Sequence, residues 1–263
     1  MLRGWGWKEG CAALADFFMP RRCIVCRVRL ALRERHLCIG CLADLPETRF
    51  SGLSRNPMAD RFNALIQRDL DLSDPQSGHE EYAFATALFY YRASTGYRKI
   101  TQRLKYHADF AAGRFFSRKL GDRMASSSLY KGIDWVVPVP LHWSRRWSRG
   151  YNQADVIAKE LAFRLGARLR TDVLCRPSRT RSQARLSVEE KVRNVSGAFR
   201  IRKRFLRKLR ARTANQPNLP RRILLVDDVF TTGATLYSCF QALRTVFPVQ
   251  VRIDVATLAC VGQ

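Results

Sequence analysis

The segment Ile223-Leu-Leu-Val-Asp-Asp-Val-Phe-Thr-Thr-Gly-Ala-Thr235 constrains the fold more than any other stretch of this chain. Four aliphatic residues in a row, Ile223–Val226, show no polar alternation, so the spacing predicts a strand covered on both faces, as in a parallel sheet between helical layers. Two carboxylates, Asp227 and Asp228, stand at its carboxyl end, where open α/β sheets take their ligands. A turn of Thr231, Thr232 and Gly233 follows, and Leu236, Phe240, Leu243 and Phe247 then recur at helical spacing. Small residues let backbone amides approach an anion, and a helix N-terminus adds about half a positive charge. The hydroxyls of Thr231, Thr232 and Thr235 add further donors. The loop therefore suits a phosphate, which the neighbouring carboxylates repel, whereas those carboxylates suit a diol. A sugar phosphate satisfies both halves.

The remaining pattern places this segment in an α/β frame. Residues 1–50 form one compositional unit with an amphipathic N-terminal helix and five of the eight cysteines. Residues 51–80 read as a linker carrying one short helix around Ala59–Arg68, and residues 81–263 alternate strand and helix signals. Strands are expected over Phe84–Tyr91, Ile133–Val139, weakly over Arg168–Leu174, and over Val249–Leu258. Helices are expected over Tyr97–His107, over Ala111–Met124, and through Ala154, Ile157, Ala158, Leu161 and Leu165. This β-α-β-α order argues for a parallel sheet with helices on both faces.

Cys23-x-x-Cys26 and Cys38-x-x-Cys41 are two pairs separated by eleven residues. Four thiolates so spaced suit tetrahedral zinc and leave no open coordination position, which makes the site structural. His36 reads as a surface residue beside a ligand set already full. Lys8, Glu9 and Asp16 break the N-terminal apolar patch and no small-residue cleavage site follows. No segment is long and apolar enough to span a membrane. The chain is accordingly expected to be cytoplasmic, with reduced thiols. Cys11, Cys175, Cys239 and Cys260 are then core residues.

Charge supplies the third signal. The 47 basic residues outweigh 22 acidic ones to give a net charge of +25, and only nine of the 47 are lysine. Arginine forks phosphates and carboxylates at two points, so the balance points to a phosphate-rich substrate or a nucleic acid, set against an arginine-rich but merely solvated surface. Two loops concentrate the charge. One follows the strand ending at Val139 and carries His142, Arg145, Arg146 and Arg149 before Gly150, Asn152 and Gln153, a cationic tip suited to diphosphate. The other, with Arg179, Gln183 and Arg193, is poor in apolar residues and reads as a mobile lid. Residues 200–222 hold ten basic side chains and no acidic one.

The strand, acid pair and Thr-Thr-Gly-hydrophobic-Thr turn resemble the phosphoribosyl pyrophosphate signature of type I phosphoribosyltransferases. The ordered set "RLKYH" with Lys105, "VPVPLHWSRRWSRGYNQA", "SRTRSQARLSVEEKVRNVSGAF" and "ILLVDDVFTTGAT" is similar, from Pro20 to Leu258, to the ComF family. Those are bacterial phosphoribosyltransferase-like proteins named for a role in competence and DNA uptake. Many members carry a second set of cysteine pairs, whereas this chain has no cysteine between Cys41 and Cys175, which favours a single zinc site. The resemblance implies an enzyme that displaces diphosphate from C1 of phosphoribosyl pyrophosphate. Within a binding segment running from Val226 to Thr235, Asp227 and Asp228 would hold the ribose hydroxyls, and Thr231 through Thr235, including Thr232, Gly233 and Ala234, the 5-phosphate. Arg145 and Arg149 would hold the leaving diphosphate with Mg2+. The alternative is a non-catalytic accessory to DNA uptake, in which the basic block and the aromatics Trp143 and Trp147 contact single-stranded DNA or other uptake proteins.

Overall fold

The computed structural model describes residues 20–72, 80–91, 95–177, 197–213 and 219–262. Five strands, β1 (Ala85–Tyr91), β2 (Trp135–Pro138), β3 (Arg168–Leu169), β6 (Arg222–Phe230) and β7 (Arg252–Val261), form one sheet in the order β1-β7-β6-β2-β3. Every pairing in it is parallel. The α/β class and parallel sheet read from the sequence are thus present. Two short strands, β4 (Leu174–Cys175) and β5 (Arg200–Ile201), pair antiparallel apart from it.

Helices cover both faces, which is why the central strands are aliphatic without alternation. On one face, α2 (Pro57–Leu72), α7 (Lys203–Thr213) and α8 (Ala234–Arg244) bury Phe62, Phe205, Phe240 and Leu243 against Ile223, Leu225 and Ile253. On the other, α3 (Arg98–Tyr106), α4 (Phe110–Ala125) and α6 (Gln153–Leu165) bury Leu104, Phe116 and Leu161 against Leu224, Val226 and Leu258. The cysteine-rich element, with its short helix α1 (Ile39–Ala43), joins this second layer. Its Ile24, Leu30, Leu37 and Leu45 belong to the same apolar cluster as Ile100 and Leu104 of α3.

Four local readings are refined. Within the interval 51–80, α2 is longer than the short helix expected there. Asn56 starts it by accepting from the Met58 and Ala59 amides at 3.1 and 3.0 Å, and Met58, Ala59, Phe62 and Ile66 are buried on the sheet. Arg168–Leu174 is not one strand. It leaves the sheet after Leu169 through a turn at Thr171-Asp172, where the Asp172 carboxylate accepts from Nε of Arg170 at 2.8 Å, and resumes as β4. The basic loop after β2 folds as a seven-residue helix, α5 (Trp143–Arg149), capped by His142 and ended by Gly150 at φ 75°. Residues 203–213, read only as a charged block, are helical because Phe205, Leu206 and Leu209 give that block an apolar face. The N-terminal helix and the lid residues Arg179, Gln183 and Arg193 lie outside the described residues.

Candidate functional site

The strand order fixes where a ligand fits. The connection from β2 leads outward to β3, while that from β6 leads the other way to β7, so the chain diverges at the β2–β6 boundary and opens a crevice at their carboxyl ends. β2 stops at Pro138, whose partner is Val226, while β6 continues to Phe230 paired only with β7. Asp227 and Asp228 therefore lie within β6, rather than after it, on the stretch that protrudes beyond β2.

The two carboxylates have different surroundings. Asp228 is buried and its Oδ2 pairs with Nζ of Lys105 at 2.8 Å, on the α3 side of the sheet. Asp227 folds back to accept from the Asp228 amide at 2.8 Å, and its charge is felt by Cys239 on α8, on the opposite face. Burial first, then the Asp228 charge, pushes the Asp227 pKa up to about 7. Burial works against the Lys105 charge, but Asp228 and Asp227 outweigh it, so the lysine pKa is raised.

Thr231 and Thr232 then turn the chain into α8. Gly233 caps that helix at φ 83°, a conformation costly for any residue with a Cβ. A Cβ there would point into the protein, 2.9 Å from Cζ of Phe230 and 3.2 Å from Cδ1 of Leu65. The first backbone bond of this turn runs from the Tyr237 amide to the Gly233 carbonyl, which leaves the earlier amides outside the helical ladder. The Ala234 amide reaches only Oγ1 of Thr232, at 3.4 Å. Thr231 is exposed, Thr232 and Thr235 half-buried, and Val226 and Ala234 buried.

Across the crevice, α5 carries Arg145, Arg146 and Arg149. His142 is buried and takes the helix cap, its Nδ1 accepting from the Ser144 amide at 3.3 Å. Asn152 caps α6 and donates to the Val139 carbonyl at 3.0 Å, while Nε2 of the buried Gln153 has no protein partner. The Arg149 guanidinium lies over the Tyr106 ring, 5.3 Å from its centre. Lys105, Tyr106, His107, Ser144, Arg149 and Tyr151 line an open cavity of about 730 Å3 between the end of α3 and α5. Arg146 faces a second cavity of about 700 Å3, shared with Arg202, Lys203, Arg204 and Lys208. The acid pair is linked to the Arg149 cavity through Lys105, which pairs with Asp228 and lines that cavity. Lys105 is marked in the sequence only by its place in "RLKYH". Trp143 and Trp147 are 69% and 89% exposed.

The sulfurs of Cys23, Cys26, Cys38 and Cys41 all lie within 4.8 Å of one another. Those of Cys26 and Cys38 are 3.6 Å apart, close to the ~3.8 Å that tetrahedral Zn–S bonds of ~2.3 Å require. The four residues can hold one zinc ion. The Cys23 thiol is buried, which opposes ionisation, yet the amides of Cys26, Cys38 and Val25 lower its pKa to about 6. His36 is outside the set, its ring 5.3 Å from that of Phe115. Cys239 and Cys260 are buried, Cys175 is half-buried, and Cys11 lies outside the described residues.

No family model matches the chain. It is 27% identical over 234 residues to competence protein F of Haemophilus influenzae, covering 86% of this chain and 92% of that protein. It is 36% identical over 111 residues to the DNA utilization protein YhgH of Salmonella typhi, 42% of this chain and 43% of that one. With YhgH of Escherichia coli K12 the figure is 33% over 110 residues. The chain spans less than half the length of the two YhgH proteins in these alignments.

Proposed function

This chain belongs to the ComF family, and from that premise we propose that it binds phosphoribosyl pyrophosphate at the β2–β6 crevice and transfers the phosphoribosyl group to an acceptor, releasing diphosphate. The observation that carries the proposal is the pairing, on one strand-turn-helix unit, of an acid pair, Asp228 buried and Asp227 half-buried, with a helix N-terminus whose first amides the helix does not use. Carboxylates accept from ribose hydroxyls, and amides donate to the 5-phosphate. Arg145 and Arg149 on α5 would take the diphosphate. Mg2+ would accompany the diphosphate as counter-ion, mostly water-bound, with the acid pair nearby. The attacking group belongs to the acceptor, so the chain's own work is positioning and charge stabilisation at C1. Calorimetry with phosphoribosyl pyrophosphate and ribose 5-phosphate tests binding, and diphosphate release with a panel of bases and amines tests transfer. Absence of binding by either sugar phosphate rejects the proposal.

A second reading has its own support. The relatives' names concern competence and DNA utilization, α7 presents Lys203, Arg204, Arg207, Lys208 and Arg210 to solvent, and Trp143 and Trp147 stand exposed. Under it the protein serves DNA uptake by contacting single-stranded DNA, and the crevice is a ligand-sensing module. Among the described residues no helix is long and apolar enough to cross a membrane.

A further inference from the structure

Lys105 connects the acid pair to the cavity under α5. Its ammonium is 2.8 Å from Asp228, and the same residue lines the cavity with Arg149, Ser144 and Tyr151. The end of α3 is held in place there. The Tyr151 hydroxyl donates to the Leu104 carbonyl and accepts from the Ala108 amide at 3.2 Å, and its ring meets Phe110 edge-on at 4.7 Å. Arg103 pairs with Asp109 at 3.2 Å across the same bend. The backbone on either side of Lys105 is thus held, and its side chain carries the ammonium between Asp228 and the cavity that it lines.

A carboxylate already paired with an ammonium is a poorer acceptor for ribose hydroxyls, so a diol must compete with Lys105 for Asp228. A ligand that also offers negative charge in the neighbouring cavity removes that competition. Resting on the phosphoribosyl reading, we propose that Lys105 is an exchangeable counter-ion. It neutralises Asp228 before binding and moves to the diphosphate at C1 of phosphoribosyl pyrophosphate, leaving Asp228 to the ribose. Lys105 thereby makes the crevice prefer ribose phosphates that carry diphosphate at C1 over those that do not. Its pKa, raised by the two aspartates, keeps it charged at any physiological pH.

The test compares phosphoribosyl pyrophosphate and ribose 5-phosphate, by calorimetry with Mg2+ present, on the full chain and on Lys105→Met. Loss of one charge-assisted contact should weaken the pyrophosphate by about tenfold or more. Ribose 5-phosphate should bind as well or better, because Asp228 is no longer shared. Lys105→Arg retains the charge and should restore most of the preference, which separates charge exchange from mere loss of structure. Equal weakening of both ligands in Lys105→Met, or an unchanged preference, overturns the inference while the phosphoribosyl reading stands. If neither ligand binds the unaltered chain, that reading fails and takes this one with it.

Discussion

Adjacent side chains on a strand point to opposite faces, so the two acids of one dipeptide meet different environments. Asp228 has a lysine partner and Asp227 has none nearer than a backbone amide. Its pKa near 7 exceeds the ~4 of an unfolded aspartate. The folded chain therefore holds that proton more tightly than the unfolded one. The associated stability is full below about pH 4 and is lost as the pH rises through about 7. Asp227→Asn removes this dependence. Relative to the unaltered chain, the variant should gain about 1–3 kcal/mol between pH 5 and pH 8, read as a widening gap in urea midpoint. A gap that does not change with pH would show that Asp227 is ionised throughout. The same proton should weaken sugar phosphate binding below pH 7, since a protonated acid accepts poorly. Such distinctions were not legible in the sequence. "DD" after an aliphatic run marked the acids, but the partner that sets Asp228 apart is Lys105, more than 120 residues away along the chain. Likewise Asp254, buried beneath Arg222 at 2.6 Å and Arg252 at 3.2 Å, carries no local signal of its role.

At the scale of elements, the turn into α8 was legible because its chemistry is local: a strand, two hydroxyls, a glycine and a helix. What the sequence could not supply was the direction in which a Cβ at Gly233 would point. Gly150 makes the comparison direct, since it has a similar φ of 75° with open space around it, whereas a Cβ at Gly233 meets Phe230 and Leu65. Gly150→Ala should cost about 1 kcal/mol, from the left-handed backbone alone. Gly233→Ala adds overpacking and should cost about 2–4 kcal/mol, measured as urea midpoints. Equal losses would mean that Phe230 yields freely. The helices α5 and α7 were hidden for the opposite reason, because charge masked their periodicity. Phe205, Leu206 and Leu209 were the available signal, at spacings of one and three among ten basic residues. If α7 contacts DNA, replacing Lys203, Arg204, Arg207 and Lys208 with glutamine should flatten the salt dependence of binding by up to about 0.7 in log–log slope per lost contact for single strands. An unchanged slope returns α7 to ordinary solvated surface.

In the whole molecule, the metal element and the crevice share one layer. Their separation in sequence, with the cysteines before residue 50 and the acids beyond residue 220, suggested independent units, and on that view a cysteine substitution would spare ligand binding. The contacts argue otherwise. The Tyr97 hydroxyl donates to the Cys41 carbonyl and the Lys99 ammonium to the Val25 carbonyl, each at 3.0 Å. Gly96 sits so close under Val25 that a Cβ would lie 2.8 Å from its side chain. These residues lead into and begin α3, whose last turn carries Lys105 to Asp228. Each hydrogen bond contributes about 1 kcal/mol, and both acceptors are carbonyls of the element that the four thiolates close. Stripping the metal with a chelator, or Cys26→Ser, should lower the melting temperature. In protein that remains folded, it should also weaken phosphoribosyl pyrophosphate several-fold, while ribose 5-phosphate, which does not call on Lys105, changes less. Circular dichroism confirms the folded state and calorimetry reads the two affinities. Unaltered affinities in fully stripped, folded protein would show that α3 keeps its position from Leu104, Phe116 and the sheet alone, with the cysteine element a passenger on that layer.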